Sequence, residues 1–400
     1  MTADLKDLFP KYVSRSEVEA QIGDIAQSVL IESRSQVILI TGQGCIGKTV
    51  LLGHLDGVFA RVNERFVVLK VCDIDDPQYW VLENLQVMVA TQLAERGADF
   101  SKYFNYYYHL REEALDERMF IARLHDMFAS SYQYFAETQK RIPIILLDTF
   151  EAIRNTNLLQ RLTTWMKQMP TDTVFVLAAR TYQGQPADDP IIKSLSDAHF
   201  VLAHQSIELK GFPQKVTRQY VDRSGIGIGL NADEKTKLEL LTQGHPLWLS
   251  LTLDYIAHQD MPKELKLPLN YLQQYLTYQG EMKAGGKTIR EKFIRNLLLP
   301  FHSSDYWSET FRRLAVVRQW VDERVWIQLT ADLPLPSDIT APKESWATLL
   351  RFPWIRKHAN GKYVSLHDAL AEEFARNVLP IHDPDGSWTH ACWRRVARGF

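Results

Sequence analysis

Cysteine is scarce: Cys45, Cys72 and Cys392 are the three in 400 residues, scattered and odd in number. They match no zinc-ligand spacing and make no disulfide framework, which suits a reducing compartment where all three are ordinary thiols. Long apolar runs are missing as well. No stretch approaches the roughly 20 apolar residues that span a bilayer, so neither a membrane-embedded protein nor a membrane partner is expected. The opening MTADLKDLFPKY carries no positive region followed by an apolar run, hence no secretory signal, and the cytoplasm is the expected location. Charge of one sign is also in short supply. With 46 basic and 48 acidic residues the formal net charge is −2, which gives no overall electrostatic case for nucleic acid. Internal repeats and low-complexity tracts are absent.

What is present is the composition of a globular protein, 46% hydrophobic and 24% charged, at a length that predicts about two to four domains. From residue 36 to 212, short β-branched or apolar runs alternate with longer amphipathic stretches, the pattern of an α/β domain with a largely parallel sheet. The candidate strands are Val37 to Thr41, Phe66 to Val71, Ile142 to Leu147 and Val174 to Ala179. Helical spacing recurs over Leu82 to Glu95 and Glu117 to Glu137. The aromatic cluster Tyr103, Phe104, Tyr106, Tyr107, Tyr108 in the longest crossover reads as packing within a helical insertion rather than as a stacking platform.

After Gly211-Phe212-Pro213 the strand-like runs stop. Helices are expected near Gln214 to Arg223, Ala232 to Thr242 and Pro246 to His258. A boundary is expected at Ala284-Gly285-Gly286-Lys287, with helices resuming near Arg290. Helices then follow at Trp307 to Val317, Val321 to Leu329 and Ser345 to Leu350. Two short strands, Trp354 to Lys357 and Tyr363 to Leu366, are joined by an Asn360-Gly361 turn, and helices ahead of a β-hairpin suggest a winged helix. The expected architecture is thus an α/β P-loop NTPase domain over 1–212, mostly parallel sheet with helices on both faces. A helical domain over 213–285, a winged-helix domain over 286–382 and the start of a further helical segment over 383–400 follow.

The chemistry is concentrated in Gly42-Gln43-Gly44-Cys45-Ile46-Gly47-Lys48-Thr49, which fits G-x-x-x-x-G-K-[ST] after an apolar strand and before a helix. Glycines at those places let backbone N–H groups turn inward around phosphates, and the following helix adds its positive N-terminal end. Lys48 is expected on the β- and γ-phosphates of ATP, or on the β-phosphate of ADP, and Thr49 on Mg²⁺. A second metal-side acid is expected at the end of another buried strand, and Ile142-Pro-Ile-Ile-Leu-Leu-Asp148 supplies it; the alternative for Asp148 is a cap of the next helix. Glu151 is the candidate to position or deprotonate an attacking water, against a solvated first-turn glutamate. Arg180, ending Val174-Phe-Val-Leu-Ala-Ala-Arg180, stands at the same sheet edge to read a γ-phosphate, against a salt-bridged surface arginine.

Together these residues resemble the STAND branch of P-loop ATPases, signal-transduction switches that include the NB-ARC and NACHT families, over nearly all of residues 10–380. Tyr12-Val13-Ser14-Arg15-Ser16-Glu17 is similar to the family's hhGRE motif, with Ser14 in place of the usual glycine; the resemblance implies that Val13 and Arg15 face the nucleotide, the apolar residue on adenine. Asp148-Thr-Phe-Glu151 resembles the NACHT-like spacing of the two acids. Gly244-His-Pro246 resembles the GxP motif, whose proline touches adenine. Leu366-His367-Asp368 resembles the MHD motif, with Leu366 where methionine is usual, and implies a His367 contact to the β-phosphate of ADP. Taken from the residues alone, each tripeptide is ordinary helix-start chemistry, and His367 would be exposed or packed on the wing.

The resemblance implies an ATP/ADP-dependent switch, closed with ADP, opening or assembling into homo-oligomers with ATP, and resetting by slow hydrolysis. Sensor or effector partners stay unidentified. The alternative is an initiator-like AAA+ ATPase whose winged helix contacts DNA through Arg312, Arg313, Arg318 and Arg324, a patch diluted by Asp322, Glu323 and Glu344.

Overall fold

Ile142–Asp148 and Val174–Arg180 are apolar almost throughout because they lie side by side in the middle of a parallel sheet, where both faces are covered. In the computed structural model, residues 12–32, 35–109, 117–169, 172–200, 206–224, 230–257, 293–317, 321–352, 355–357, 362–366 and 368–399 are described. They divide into two compact units. The first comprises Ser14–Gln43 and Gly47–Leu209; the second comprises Met1–Val13, Gly44–Ile46 and Lys210–Phe400.

In the first unit, helix α1 (Ser16–Glu32) precedes strand β1 (Gln36–Gly42), and helix α2 (Lys48–Val62) follows it. Strands β2 (Phe66–Val68) and β3 (Cys72–Asp73) lead to helices α3 (Leu82–Ala94), α4 (Ser101–His109) and α5 (Glu117–Gln139). Strand β4 (Ile142–Asp148), helix α6 (Asn157–Gln168), strand β5 (Val174–Arg180), helix α7 (Pro190–Asp197) and strand β6 (Ser206–Leu209) complete it. The strand order is β2-β4-β5-β1-β6, with β3 also on β4, and every pairing is parallel. This is the α/β architecture expected from the alternating runs.

The expected strand Phe66 to Val71 is interrupted. Gln92 Oε1 accepts the Lys70 N–H, so the backbone leaves the ladder before Cys72 rejoins β4. Burial, then Asp73, Asp76 and Asp148, push the Cys72 thiol well up, so it stays a protonated thiol. The aromatic cluster packs as expected: Tyr103 meets Phe100, Phe104 and Phe128 edge-on, and Tyr106 stacks on Phe120 of α5.

In the second unit, helices α8 (Gln214–Arg223), α9 (Ala232–Thr242) and α10 (Pro246–Ala257) coincide with the expected ones, as far as Ala257. Their glycine signal has a steric cause. Gly244 sits at φ +64 with its Cα against the Phe212 backbone, where an added Cβ would meet the Phe212 carbonyl oxygen at 2.1 Å. Helices α11 (Tyr306–Val317), α12 (Glu323–Thr330) and α13 (Pro342–Leu349) pack with the antiparallel strands β7 (Ile355–Lys357) and β8 (Val364–Leu366) as a winged helix. Val321, expected to open a helix, instead bridges Val364 antiparallel, and Asp322 caps α12 by accepting from Val325 N. Helix α14 (Asp368–Asn377), the short α15 (Leu379–His382) and α16 (Ser387–Gly399) follow. Trp388 of α16 donates through Nε1 to Glu309 Oε1 of α11. One apolar cluster joins Leu247, Trp248 and Leu251 to Trp307, Phe311, Trp326 and Phe374. The expected boundary at Ala284-Gly285-Gly286-Lys287, the helix start at Arg290 and the Asn360-Gly361 turn lie outside the described residues.

Within this unit His302 Nδ1 lies 3.3 Å from His382 Nε2, close to Arg312. Burial, then the Arg312 cation, lower both imidazoles from 6.5; His302 lowers His382 further and Glu309 opposes. A histidine depressed by folding binds its proton more readily in the unfolded chain, so stability is full above the unfolded value and falls as pH drops below 6.5. The melting temperature is therefore expected to fall between about pH 7 and pH 5, and to fall less in His382→Gln, read by calorimetry across that range. Equal slopes for the two proteins would show that the pair carries no such coupling.

Candidate functional site

Register brings three sequence-distant groups to the C-terminal edge of the sheet. Gly42 at the end of β1 pairs with Arg180 at the end of β5, and Thr181 N donates to Gly42 O at 3.2 Å. Strand β4, beside β5, ends in Asp148, 3% exposed. Parallel strands can bring their carboxyl ends to one edge only through crossovers, which is why ligands bind at such edges.

The loop turns on residues with positive φ, Cys45 at 59° and Gly47 at 98°, and α2 then starts at Lys48. Lys48 Nζ folds back over its own loop, donating to Gly42 O at 2.9 Å and Gln43 O at 3.0 Å. Thr49 Oγ1 donates to Asp148 Oδ2 at 2.5 Å across 99 residues of sequence. An alcohol and a carboxylate oxygen meeting beside a helix N-terminus is a hard-oxygen donor pair, and it fits Mg²⁺ held by few protein ligands. Among the described residues there is no cluster of three or more His, Cys, Asp or Glu that would make an all-protein metal cage.

Beyond Asp148 the chain takes an unusual step. Thr149 is a β-branched residue at φ +52, and its N–H donates to Asp148 Oδ1 at 2.9 Å. Left-handed backbone at such a residue is strained and persists where the surroundings fix it. Here the next residues form a 3₁₀ turn, Phe150–Ile153, pinned by the fully buried Phe150 and Ile153. The turn faces Glu151 toward β5. Its Oε1 lies 3.1 Å from Arg180 Nε, and its Oε2 accepts Arg180 N–H at 3.1 Å. The structure thus joins two residues that the sequence suggested separately, and Glu151 is engaged by a cation and an amide rather than solvated.

Two further residues that no motif singles out hold this corner. Arg154 Nη2 donates to Arg180 O at 2.8 Å, and its Nε and Nη2 reach Asp189 Oδ1 and Oδ2 at 3.0 and 3.3 Å. Its guanidinium lies 5.3 Å from the centre of the Tyr182 ring. In the same unit Arg15 is buried, with Nη2 3.7 Å from where a Cβ on Gly47 would stand. Its own N–H and the Ser14 hydroxyl both donate to Glu19 Oε1, so the serine in place of glycine helps to fix the Glu19 carboxylate at the start of α1.

The second unit holds the other candidates. Val13 is buried there, and Arg223 Nη1 donates to the preceding Tyr12 O at 2.8 Å. Gly44, Cys45 and Ile46 cluster with this unit: Cys45 packs on its apolar core, and His245 Nε2 lies 3.0 Å from Gly44 O. His245 is another residue that the motif reading passed over. Pro246 is half-buried at the first position of α10. His367 lies outside the described residues.

Two of the four arginines behind the DNA alternative are not on the surface. Arg312 and Arg313 are 3% and 5% exposed, tied to Glu309 and Asp332 at distances of 2.6 to 3.2 Å, and Arg312 also donates to Phe301 O and Ser303 O. Burial raises the Glu309 carboxyl, but Arg312, Arg313 and Trp388 together hold it below the usual range. These guanidiniums are structural and face no solvent. Arg324 is exposed and paired with Asp322, and Arg318 lies outside the described residues.

No protein family and no curated protein matches the chain by sequence. In three dimensions the chain is similar to a Signal Transduction ATPase with Numerous Domains (STAND) protein with a tetratricopeptide repeat sensor from Pyrococcus horikoshii, at 13% identity and a TM-score of 0.47, over 97% of this chain and 45% of that one. It thus spans less than half of that protein's length. It is also similar to the ORC2 protein of Aeropyrum pernix in ADPNP–ADP complexes, at 12% identity and TM-score 0.43, over 93% and 95% of the two chains. The ORC1 protein of Aeropyrum pernix in complex with DNA gives 13% identity and TM-score 0.40, over 93% of each chain.

Proposed function

We propose that the chain is an ATP- and ADP-dependent molecular switch of the STAND type that hydrolyses ATP slowly. The observation that carries this reading is the meeting of Thr49 Oγ1 with Asp148 Oδ2 beside the loop whose Lys48 amine is already turned inward. Backbone N–H groups of Gly42–Thr49 and the start of α2 would hold the phosphates, with Lys48 as the mobile cation. Bound Mg²⁺ would supply neutralisation of the phosphate charge during hydrolysis. Thr49 and Asp148 are the residues to hold it, Glu151 to orient the attacking water, and Arg180 to meet the γ-phosphate. By the same resemblance Val13 and Pro246 would touch adenine, Arg15 would bind the nucleotide, and His367 would meet the β-phosphate of ADP and so favour that state. Catalysis in such a site is positioning and charge stabilisation rather than covalent chemistry.

The second reading, an initiator-like ATPase that binds DNA through its winged helix, loses two of the four arginines that suggested it, since Arg312 and Arg313 are buried and paired, while Arg324 stays exposed beside Asp322. Among the described residues no helix is long and apolar enough to cross a membrane. The test is to denature the purified protein, separate what is released, and then compare particle size with ADP and with a non-hydrolysable ATP analogue. Bound ADP, and larger particles with the analogue, are expected. Absence of released nucleotide together with no ATP affinity by calorimetry would overturn the nucleotide reading; identical particle sizes would overturn the switch.

A further inference from the structure

We infer that Arg154 and Asp189 are positioning residues that set the geometry of the Glu151–Arg180 pair for hydrolysis; this rests on the reading of Glu151 given above. Three chain segments meet at Arg154. It closes the turn that carries Glu151, since Arg154 N donates to Glu151 O at 3.1 Å. Its Nη2 holds the carbonyl of Arg180, the residue whose N–H and side chain grip the Glu151 carboxylate. Its Nε and the same Nη2 donate to the two oxygens of Asp189.

Asp189 is itself fixed. Its side chain is 3% exposed, and Oδ1 also accepts from Ile191 N at 3.0 Å, capping α7 at its proline-led first turn. A planar guanidinium can satisfy a bidentate carboxylate and a backbone carbonyl at the same time, whereas an ammonium offers one point and no plane. The arrangement is a rigid fork between α7, the end of β5 and the Glu151 turn. Among the described residues neither Arg154 nor Asp189 hydrogen-bonds to Thr49, Asp148 or Lys48, so the effect of the fork passes through Glu151 and Arg180.

The Arg154 side chain is mostly buried, and its guanidinium lies over the Tyr182 ring. That environment is built to hold a cation in one orientation rather than to let it sample solvent. Displacement of a reacting group by about 1 Å is enough to cost on the order of a hundredfold in rate. Loss of the fork is therefore expected to act on turnover, leaving the phosphate loop and its affinity in place.

The experiment is a double-mutant cycle on the full chain. Arg154→Lys is expected to lower kcat by about tenfold while the ATP dissociation constant stays within about threefold. In a Glu151→Gln background the same Arg154→Lys change is expected to lower kcat by less than about twofold, because the group it positions is already gone. Asp189→Asn, which keeps an oxygen for Ile191 N and loses the charge on Arg154, is expected to follow the same pattern and serves if Arg154→Lys folds poorly. Equal losses in both backgrounds, or wild-type turnover of Arg154→Lys and Asp189→Asn, overturn the inference. Wild-type turnover of Glu151→Gln alone overturns the parent reading instead, so the two failures are told apart.

Discussion

Lys48→Ala is expected to lower ATP and ADP affinity by at least about a hundredfold while leaving the fold unchanged. A charge-assisted hydrogen bond to phosphate contributes about 1.5 to 3 kcal/mol, and Lys48 would supply more than one such bond to a dense anion, so about 3 kcal/mol or more is removed. The same side chain contributes little to folding. Its amine meets the carbonyls of Gly42 and Gln43, in a partly exposed loop where water can replace it. No apolar core depends on it, in contrast to Phe150 or Ile153. Calorimetric titration of ATP into both proteins, with melting curves alongside, gives the answer. Affinity retained within threefold would remove Lys48 from the phosphate site, and a large fall in melting temperature would mean that the loop is structural.

The Lys48 geometry was half legible in the sequence. The loop, its strand and its helix follow from glycine spacing and apolar periodicity, since both are local. The strand ends at Asp148 and Arg180 were legible for a related reason: parallel strands buried on both faces read as uninterrupted apolar runs, and a charge at the end of such a run marks the edge. What the sequence could not carry is pairing across the edge. The Glu151–Arg180 contact spans 29 residues and Arg154–Asp189 spans 35, and nothing periodic links partners at those separations. Thr149 in the left-handed region is likewise invisible, because a threonine favours extended backbone and its conformation here is imposed by Phe150 and Ile153 below it.

Charge in a sequence does not tell where burial decides. Arg312 and Arg313 read as basic surface in one dimension, yet α11 is buried on nearly every side, and Glu309 one turn earlier and Asp332 after α12 neutralise them. Breaking such a pair leaves a buried charge at a cost of about 3 to 5 kcal/mol, which explains why these cations are held in place rather than offered to a ligand. Ser14, which stands where the resemblance implies glycine, finds local use, since its hydroxyl and the Arg15 N–H share Glu19 Oε1.

Glu151→Gln is expected to slow ATP hydrolysis by about a hundredfold or more while ATP affinity stays within a fewfold of wild type, because general-base or water-positioning catalysis contributes roughly 10² to 10⁴ in rate. The substitution is nearly isosteric. A glutamine oxygen can still accept the Arg180 N–H, so the end of β5 keeps one of its two ties, whereas the ion pair to Arg180 Nε is lost. That difference separates two roles for the residue. As a catalytic group, Glu151 must let go of Arg180 at least in part when a γ-phosphate arrives, since one guanidinium cannot serve a carboxylate and a phosphate equally well; removing its charge then affects turnover and not binding. As a mere anchor, Glu151 would matter through the position of Arg180, and the glutamine protein would show a lower melting temperature and weaker ATP binding, with turnover falling only in proportion. Single-turnover hydrolysis measured at saturating ATP, with calorimetric affinity and melting curves on the same preparations, distinguishes these results. Normal single-turnover rates in Glu151→Gln would exclude the residue from the chemistry and leave the Arg180 contact as a structural tie at the sheet edge.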